Sequence, residues 1–318
     1  MAKSIFGQPH FNDEATAYAY VEARLWPNGP VCPHCGVIGQ AGKLAGKTDR
    51  IGSHKCYACR KKFSVKVGTI FESSHIAMRD WLIAIHLICS SKKGISANQL
   101  SRTLGITLKS AWFMGHRIRE AMRSGDLAPM GGDGQVVEAD ETYFGKIADE
   151  NMPATKTTGR PFAKGRKKGI GNKRAILSLV ERGGSVRSFH IPAARLDTVA
   201  GIVSKNVARE TRLHTDESNL YLKVGKEFAA HETVKHSDEE YVRGDVTTNT
   251  VEGFFSIFKR GMKGVYQKCD EKHLHRYLAE FDFRYNNRVR LGVSDEMRAD
   301  RALQGIVGKR LTYRDSSV

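Results

Sequence analysis

The sequence lacks any long apolar run. Its longest apolar stretch, Trp81 to Cys89, has nine residues and contains His86, whereas a membrane-spanning helix needs about 20 apolar residues. The first residues, MAKSIFGQPHFNDE, contain no apolar core of a signal peptide either. We therefore expect no membrane contact and a location in the cytosol, where thiols are kept reduced.

Acidic residues are also in short supply. The chain has 34 Asp and Glu against 51 Lys and Arg, which leaves a net charge of +17 and an isoelectric point near 9.7. This excess of positive charge predicts a polyanionic partner, and nucleic acid is the first candidate. With 40% apolar and 27% charged residues among 318, the composition excludes a disordered chain and suits two or three globular domains.

Cysteines are few, and four of the six form two Cys-x-x-Cys pairs separated by 20 residues. Reduced thiols at this spacing can surround one Zn²⁺, so we predict a zinc ribbon over residues 1–75 with a closed, non-catalytic metal site. Its ligands are Cys32, Cys35, Cys56 and Cys59; four unrelated thiols are the alternative. We expect His34 and His54 not to be ligands, and Cys89 and Cys269 to be packing residues.

Residues 76–129 show helical periodicity and predict a helix-turn-helix. A short helix with Leu100 and Leu104 leads into Gly105, and Thr107 is placed to cap a second helix. That helix turns four apolar side chains inward, namely Ala111, Met114, Ile118 and Met122. It leaves four polar ones outside: Lys109, Ser110, Arg117 and Arg119. This layout favours a basic recognition helix for DNA, and a purely structural three-helix bundle is the alternative.

From residue 130 the pattern changes to strands that alternate with helices. The predicted strands are 135–139, 174–180, 186–191 and 212–215. The middle two form a hairpin, and a helical stretch over 196–209 precedes the last strand. The first strand ends at Asp140 and the last at Asp216. Acidic residues at strand ends predict an α/β fold whose site opens at those ends.

A further helix begins near Asn249 and carries two stripes. One is apolar and should face the core: Val251, Phe255, Phe258 and Met262. The neighbouring stripe is polar: Asn249, Glu252, Ser256 and Lys259. Glu252 and Lys259 therefore share a face, about 10 Å apart along the axis. This pattern places a carboxylate that can bind a metal ion near a lysine that can bind a DNA phosphate.

Four segments of the chain carry a family resemblance. They are 137–145 (VEADETYFG), 214–218 (HTDES), 248–261 (TNTVEGFFSIFKRG), and 272–277 with 281–288 (KHLHRY and FDFRYNNR). They resemble bacterial insertion-sequence transposases of the ISXO-two-like group, which pair an N-terminal zinc ribbon with an RNase-H-like core. The resemblance implies an α/β, RNase-H-like catalytic domain over residues 130–318, with the triad Asp140, Asp216 and Glu252 followed by Lys259. Gln267 departs from the histidine expected after Tyr266, which leaves that loop without an assigned role.

The resemblance also implies an activity: binding the terminal inverted repeats of an element, cutting its ends and joining them to target DNA. Three clustered carboxylates repel one another unless cations bridge them, so we expect Mg²⁺ or Mn²⁺ in addition to the Zn²⁺ of the ribbon. Two such ions activate the attacking oxygen and stabilise the leaving one. Because two DNA ends must meet, we expect at least a homodimer on DNA, in the bacterial nucleoid.

Basic residues assigned to DNA lie in three places. The insert 156–174 has eight Lys and Arg and no acid, with Lys167 and Lys168 at its centre. It predicts an arm that neutralises phosphates, and a solvated loop without function is the alternative. The other basic residues assigned to DNA, on the two helices described above, are Lys109, Arg117, Lys259 and Arg260.

Several assignments stay open. Glu138, on the same strand face as Asp140, or the adjacent Glu141 is an alternative first ligand. Asn249 is either an oxygen ligand or a helix cap. Two histidines without a partner at an informative spacing are predicted to be hydrogen-bonded loop residues: His231 and His236. For the whole chain, the alternatives are a DNA-binding regulator without catalysis and an RNase-H-like nuclease that does not join strands.

Overall fold

The computed structural model describes residues 4–125, 127–145 and 173–313. The chain forms two compact units, which we call the N-terminal unit (Met1–Gly125, Gly261–Gln267 and Ala279–Val318) and the sheet unit (Asp126–Arg260 and Lys268–Leu278). Most of the predicted basic arm, including Lys167 and Lys168, lies outside the described residues. Among the described helices, none has the length and apolar character needed to cross a membrane.

The N-terminal unit contains a small antiparallel sheet. Its strands are β1 (Ala41–Lys43), β2 (His54–Cys56) and β3 (Lys62–Phe63), in the order β1-β2-β3. Among the described residues, the buried side chains around this sheet form a small cluster of Cys32, Cys56 and Phe63. A core of this size does not hold a fold alone, which is typical of a ribbon stabilised by a metal.

Helices form the main core of the N-terminal unit. They are α1 (Glu14–Leu25), α2 (Met78–Ser90), α3 (Ala97–Leu104), α4 (Leu108–Ala121) and, near the C-terminus, α8 (Asp295–Gln304). Ser96 caps α3 and Thr107 caps α4, each by accepting a backbone N–H three residues on. Gly105 between them has φ +66°, a left-handed conformation that glycine adopts without strain. The side chains predicted to face inward from α4 are buried: Ala111, Met114, Ile118 and Met122.

The sheet unit is built on a five-stranded mixed sheet. Its strands are β4 (Val136–Phe144), β5 (Arg174–Glu181), β6 (Val186–Ile191), β7 (Arg212–Asp216) and β8 (Ala230–Val234). In the order β6-β5-β4-β7-β8, strands β4, β7 and β8 are parallel, while β5 is antiparallel to β4 and β6. The predicted hairpin and the end of β7 at Asp216 are confirmed. The predicted α/β class is also confirmed: the core is a mixed sheet packed with helices, and the chain before it contains a small three-stranded sheet and the helix-turn-helix pair α3 and α4.

Apart from short 3-10 turns, the remaining elements among the described residues are three helices, two short strands and a π-helical turn. They are α5 (Leu196–Asn206), the hairpin of β9 (Val242–Arg243) and β10 (Val246–Thr247), α6 (Asn249–Gly261), a π-helical turn (Met262–Tyr266) and α7 (Leu274–Asn286). The hairpin comes directly before α6, so it leads the chain into the helix that carries Glu252.

Strand β4 extends further than the sequence predicts. The predicted strand stops at Ala139, whereas β4 continues to Phe144. The reason is its neighbours: β5 pairs with β4 as far as Phe144, whereas β7 pairs with it only as far as Glu138. Asp140 therefore lies inside the strand, just past the point where pairing with β7 stops.

The two faces of β4 have different partners. One face packs on α5, and Ala139 lies in the core that they share. The other packs on α6, where the ring centroids of Phe144 and Phe258 are 5.6 Å apart. Because side chains alternate along a strand, Asp140 shares the α6 face with Phe144, and Glu141 shares the α5 face with Ala139.

Candidate active site and zinc site

The four cysteines of the ribbon lie together. Their Sγ atoms are all within 4.8 Å of one another, with 3.6 Å between Cys32 and Cys59 and 3.7 Å between Cys35 and Cys56. A tetrahedron with Zn–S bonds of about 2.3 Å has edges of about 3.8 Å, so the four thiols fit Zn²⁺. As predicted, the cluster contains no histidine; His54 instead lies with its Nδ1 3.2 Å from the carbonyl oxygen of Gly52.

The three acidic residues predicted for catalysis come from different elements: Asp140 from β4, Asp216 from the end of β7, and Glu252 from the first turn of α6. Strands β4 and β7 run parallel, and their register, continued by two residues past its last pair, sets Asp140 beside Asp216. Burial, followed by the negative charges of Asp216, Glu141 and Glu252, raises the pKa of Asp140 to about 8. The fold thus brings the three carboxylates within electrostatic reach of one another.

Backbone amides contact the two aspartates. The N–H of Glu141 donates to Asp140 Oδ1 over 2.7 Å, and the N–H of Ser218 donates to Asp216 Oδ1 over 3.1 Å. Within the described ranges neither aspartate forms a salt bridge with a Lys, Arg or His side chain. Crowded carboxylates without a basic partner are the donors that hard divalent cations prefer.

The carboxylates are more widely spread than the thiols. In the part of the chain that the structure describes, the cysteine cluster is the one group of three or more candidate ligands whose atoms all lie within 4.8 Å. Two ions about 3.5–4 Å apart, each about 2 Å from its oxygen ligands, accommodate oxygens that are up to about 8 Å apart. In this arrangement the three carboxylates do not all reach a single Mg²⁺, whose oxygen ligands lie at most about 4 Å apart.

Glu252 is held by residues that the sequence does not single out. Thr248 Oγ1 donates to Glu252 Oε1 over 2.9 Å. His236 Nε2 lies 3.7 Å from the same carboxylate oxygen and 3.3 Å from Thr248 Oγ1. No sequence spacing indicates this position of His236, because the hairpin of β9 and β10 separates it from α6. His231 is hydrogen-bonded as expected, with Nε2 2.9 Å from Thr215 Oγ1. The prediction that it lies in a loop is wrong, because it belongs to strand β8.

The two stripes of α6 are placed as predicted. The predicted apolar stripe is buried: Val251, Phe255 and Phe258 on α6, and Met262 in the π-helical turn that follows it. Asn249 is exposed and is the first helical residue. Thr248 precedes it, and the backbone carbonyl oxygen of Thr248 accepts the backbone N–H of Glu252 over 3.0 Å. Thr248 therefore holds the N-cap position. The alternative that Asn249 caps this helix is therefore wrong.

Glu138 and Glu141, the alternatives to Asp140, have other side-chain partners. Glu138 is fully buried and binds Arg182 over 2.8 Å as well as the start of α6. Glu141 accepts a hydrogen bond from the buried hydroxyl of Tyr221. Burial raises the pKa of Glu141 to about 7 although this hydrogen bond opposes the rise. Among the described residues, side-chain donors bind Glu138 and Glu141. Asp140 is bound by a backbone N–H and by no side-chain donor.

Arg117 and Arg119 lie inside the N-terminal unit, and the prediction that they lie on the outer face of α4 is wrong. Arg119 Nε donates to the buried Glu280 over 2.6 Å. The guanidinium of Arg117 donates over 2.9–3.1 Å to three backbone carbonyls, those of Ile70, Glu72 and Leu311. Segments distant in sequence cover α4 beyond its first turn, which the local periodicity does not reveal.

Three other basic residues assigned to DNA are at least partly accessible. Lys109 is exposed in the first turn of α4, with Nζ 4.5 Å from the ring centroid of Tyr313. Lys259 is half-buried on the same stripe of α6 as Glu252, and Arg260 is exposed. Arg260 Nε donates to the carbonyl of Ser256 over 3.2 Å, one turn earlier.

Comparisons with known proteins agree with this architecture. Residues 12–62 match a transposase zinc-ribbon domain, and residues 131–286 match an ISXO2-like transposase domain. The chain is 27% identical over 271 residues to an uncharacterized protein in the transposable element ISH50 of Halobacterium salinarum, covering 81% of this chain and 86% of that protein. It is also similar to a chain in the crystal structure of the Mos1 strand transfer complex, with 11% identity, a TM-score of 0.27, and coverage of 70% of this chain and 73% of that one. A TM-score this low carries no conclusion about fold or activity.

The matched ranges contain the candidate ligands of both clusters. The four cysteines lie in the first range, and Asp140, Asp216 and Glu252 lie in the second. Because both domains of one family are present in order along the same polypeptide, the chain belongs to the insertion-sequence transposases that join an N-terminal zinc ribbon to an ISXO2-like transposase domain.

Proposed function

We propose that this transposase binds the ends of its insertion sequence and catalyses metal-dependent DNA strand cleavage and strand transfer. The observation that carries the proposal is the meeting of carboxylates at one end of the sheet. Asp140 and Asp216 lie side by side on parallel strands, and burial together with the charges of Asp216, Glu141 and Glu252 raises the pKa of Asp140 to about 8. Such crowding is costly for a folded protein. It is expected where the charges of divalent cations offset it during function.

In this proposal Asp140, Asp216 and Glu252 hold two ions of Mg²⁺ or Mn²⁺. When bound, the ions activate the attacking oxygen and stabilise the leaving oxygen of an in-line phosphoryl transfer. Asp140 and Asp216 stand on parallel strands of one sheet, so their separation is fixed by backbone hydrogen bonds. Thr248 orients the carboxylate of Glu252 by donating to its Oε1.

DNA is the proposed partner, and different parts of the chain bind different parts of it. We assign terminal-repeat binding to residues 1–75 and 76–129, with Lys109 as a contact, and catalysis to residues 130–318. Lys259 and Arg260 at the end of α6 are proposed to bind phosphates, because a cation about 10 Å from a helical glutamate is within reach of the same DNA backbone. Two ends must be joined in one reaction, so the active complex is proposed to be at least dimeric.

A strand-transfer assay tests the proposal. The full chain is incubated with labelled oligonucleotides of its element's end, a target plasmid and Mg²⁺ or Mn²⁺. A transposase of the proposed kind yields nicked ends and end–target joints. Nicks without joints would indicate a nuclease, and binding without any cleavage would indicate a regulator; either result would overturn the proposal.

A further inference from the structure

Glu138 is a fully buried carboxylate in β4. It lies two residues before Asp140, on the same face of the strand, and points toward α6. A carboxylate that is removed from water costs free energy unless charged or hydrogen-bonding groups surround it. Its partners therefore indicate what the residue does in the fold.

Both oxygens of Glu138 bind the start of α6. Oε2 accepts the backbone N–H of Thr250 over 2.8 Å and that of Val251 over 3.0 Å. Oε1 accepts the hydroxyl of Thr250 over 2.8 Å. The first backbone N–H groups of a helix have no partner within the helix and carry partial positive charge, so a buried carboxylate is well suited to bind them.

Arg182 completes this arrangement. Its Nη2 donates to Glu138 Oε1 over 2.8 Å. The same guanidinium donates to the carbonyl of Asp245 over 2.8 Å and to that of Thr247 over 3.3 Å. Glu138 and Arg182 together therefore hold the segment leading into α6 as well as its first residues against β4.

We propose that Glu138 is a positioning residue that sets the separation of Asp140 and Glu252. The inference rests on the proposed function. Glu138 is two residues from Asp140 along β4, and it binds Thr250 and Val251, the two residues before Glu252. One buried side chain thus joins the strand that carries the first carboxylate to the helix that carries the third. Glu138 does not touch the ions or the DNA; it acts through the two residues that do.

The test compares Glu138→Gln with a matched surface control, Glu227→Gln, in the full chain. Glu227 is in the same unit and forms exposed contacts with Arg209 and Ser204. Mn²⁺ affinity is measured by titration with detection of free Mn²⁺, and Asp140→Asn defines binding outside the site. Replacing a residue that orients a metal ligand lowers metal affinity by about 10–100-fold, and we expect such a loss in Glu138→Gln with no loss in Glu227→Gln.

Cleavage of an element-end oligonucleotide gives a second readout. Glu138→Gln should need about tenfold more Mn²⁺ for half-maximal cleavage, with zinc content and circular dichroism spectrum unchanged. If Glu138→Gln does not fold, Thr250→Val decides, because it removes one hydrogen bond to Glu138 and keeps the shape of the side chain. Thr250→Val should lower Mn²⁺ affinity several-fold.

The outcomes separate the inference from the function on which it rests. The positioning role alone is overturned if folded Glu138→Gln cleaves DNA as wild type does and matches the control in Mn²⁺ affinity and in the Mn²⁺ concentration needed for cleavage. Where Glu138→Gln does not fold, the same result in Thr250→Val overturns it. A wild-type chain that neither binds Mn²⁺ at Asp140 nor cleaves DNA overturns the proposed function, and the positioning role with it.

Discussion

The cysteine cluster and the carboxylate cluster are assembled in opposite ways. The four thiols come from one short stretch, with Cys32 and Cys59 27 residues apart, and they fit a single small tetrahedron. The carboxylates of Asp140, Asp216 and Glu252 come from two strands and a helix and are more widely spread. A local cluster depends on two tight turns, whereas the distant one depends on sheet order and on the docking of α6. Substitutions in the cysteine cluster and in the carboxylate cluster should therefore have different consequences.

The largest difference is expected for catalysis. Asp140→Asn, Asp216→Asn and Glu252→Gln should each lower strand cleavage and joining by about 10³-fold or more, because loss of metal binding removes several kcal/mol of transition-state stabilisation. DNA affinity in a gel-shift assay should change little. Glu141→Gln is the matched control and should keep its activity within about tenfold, because its carboxylate faces α5. Full cleavage by any of the three variants would remove that residue from the site.

Loss of a thiol should instead impair the binding of zinc and of the terminal repeat. Cys32→Ser leaves three thiols for Zn²⁺, and because structural zinc supplies about 10–16 kcal/mol in small zinc domains, the ribbon should unfold locally. We expect zinc content to fall from one ion per chain toward none, and affinity for the terminal repeat to fall at least tenfold. Cys269→Ser, outside the cluster, should retain its zinc. A Cys32→Ser chain with full zinc content would contradict the four-thiol site.

The pH dependence of stability should distinguish the carboxylate cluster. The pKa of Asp140 is raised from 3.8 to about 8, so between these pH values the folded chain binds a proton that the unfolded chain releases. Stability in buffer without added Mg²⁺ or Mn²⁺ should therefore fall as pH rises from about 4 to about 8. Asp140→Asn should melt several degrees above wild type at pH 8 and lose this difference near pH 4. Mn²⁺ should stabilise wild type at pH 8 and not the variant; equal melting of both chains at every pH would contradict the crowding.

The smallest effect is expected on α4. Lys109→Ala should weaken DNA binding several-fold, reduce the salt dependence by about one ion and leave the melting temperature unchanged. Arg117→Ala should do the reverse, lowering the melting temperature by several degrees, because three buried carbonyls lose their donor. Calorimetry and salt-dependent gel shifts measure both. A normally folded Arg117→Ala chain with weakened DNA binding would restore the contact role predicted from the sequence.

Local patterns predict the parts of this molecule that local interactions build. Thr107 caps α4, Gly105 forms the turn before it, and β7 ends at Asp216, because caps, turns and strand ends involve residues close in sequence. The buried stripe of α6 follows from helical period in the same way. The sequence also places Glu138 and Asp140 on one strand face, but it does not indicate which of them binds α6.

Long-range contacts account for the differences between the sequence-based predictions and the structure. Strand β4 continues past Asp140 because β5, more than 30 residues later, pairs with it as far as Phe144. Arg119 is buried by Glu280, which lies 161 residues away in the chain. Helical period on α4 marks which side chains share a face, but not whether a distant segment covers that face. The position of His236 beside Glu252 is hidden for the same reason.

Anomalous scattering from Mn²⁺ in crystals of the full chain would show whether the three carboxylates bind metal together. We expect two manganese peaks about 3.5–4 Å apart, bound by Asp140, Asp216 and Glu252, and a separate zinc peak among the four cysteines. A zinc peak at the cysteines with no manganese at the three carboxylates, both without DNA and with the element's end bound, would contradict this expectation.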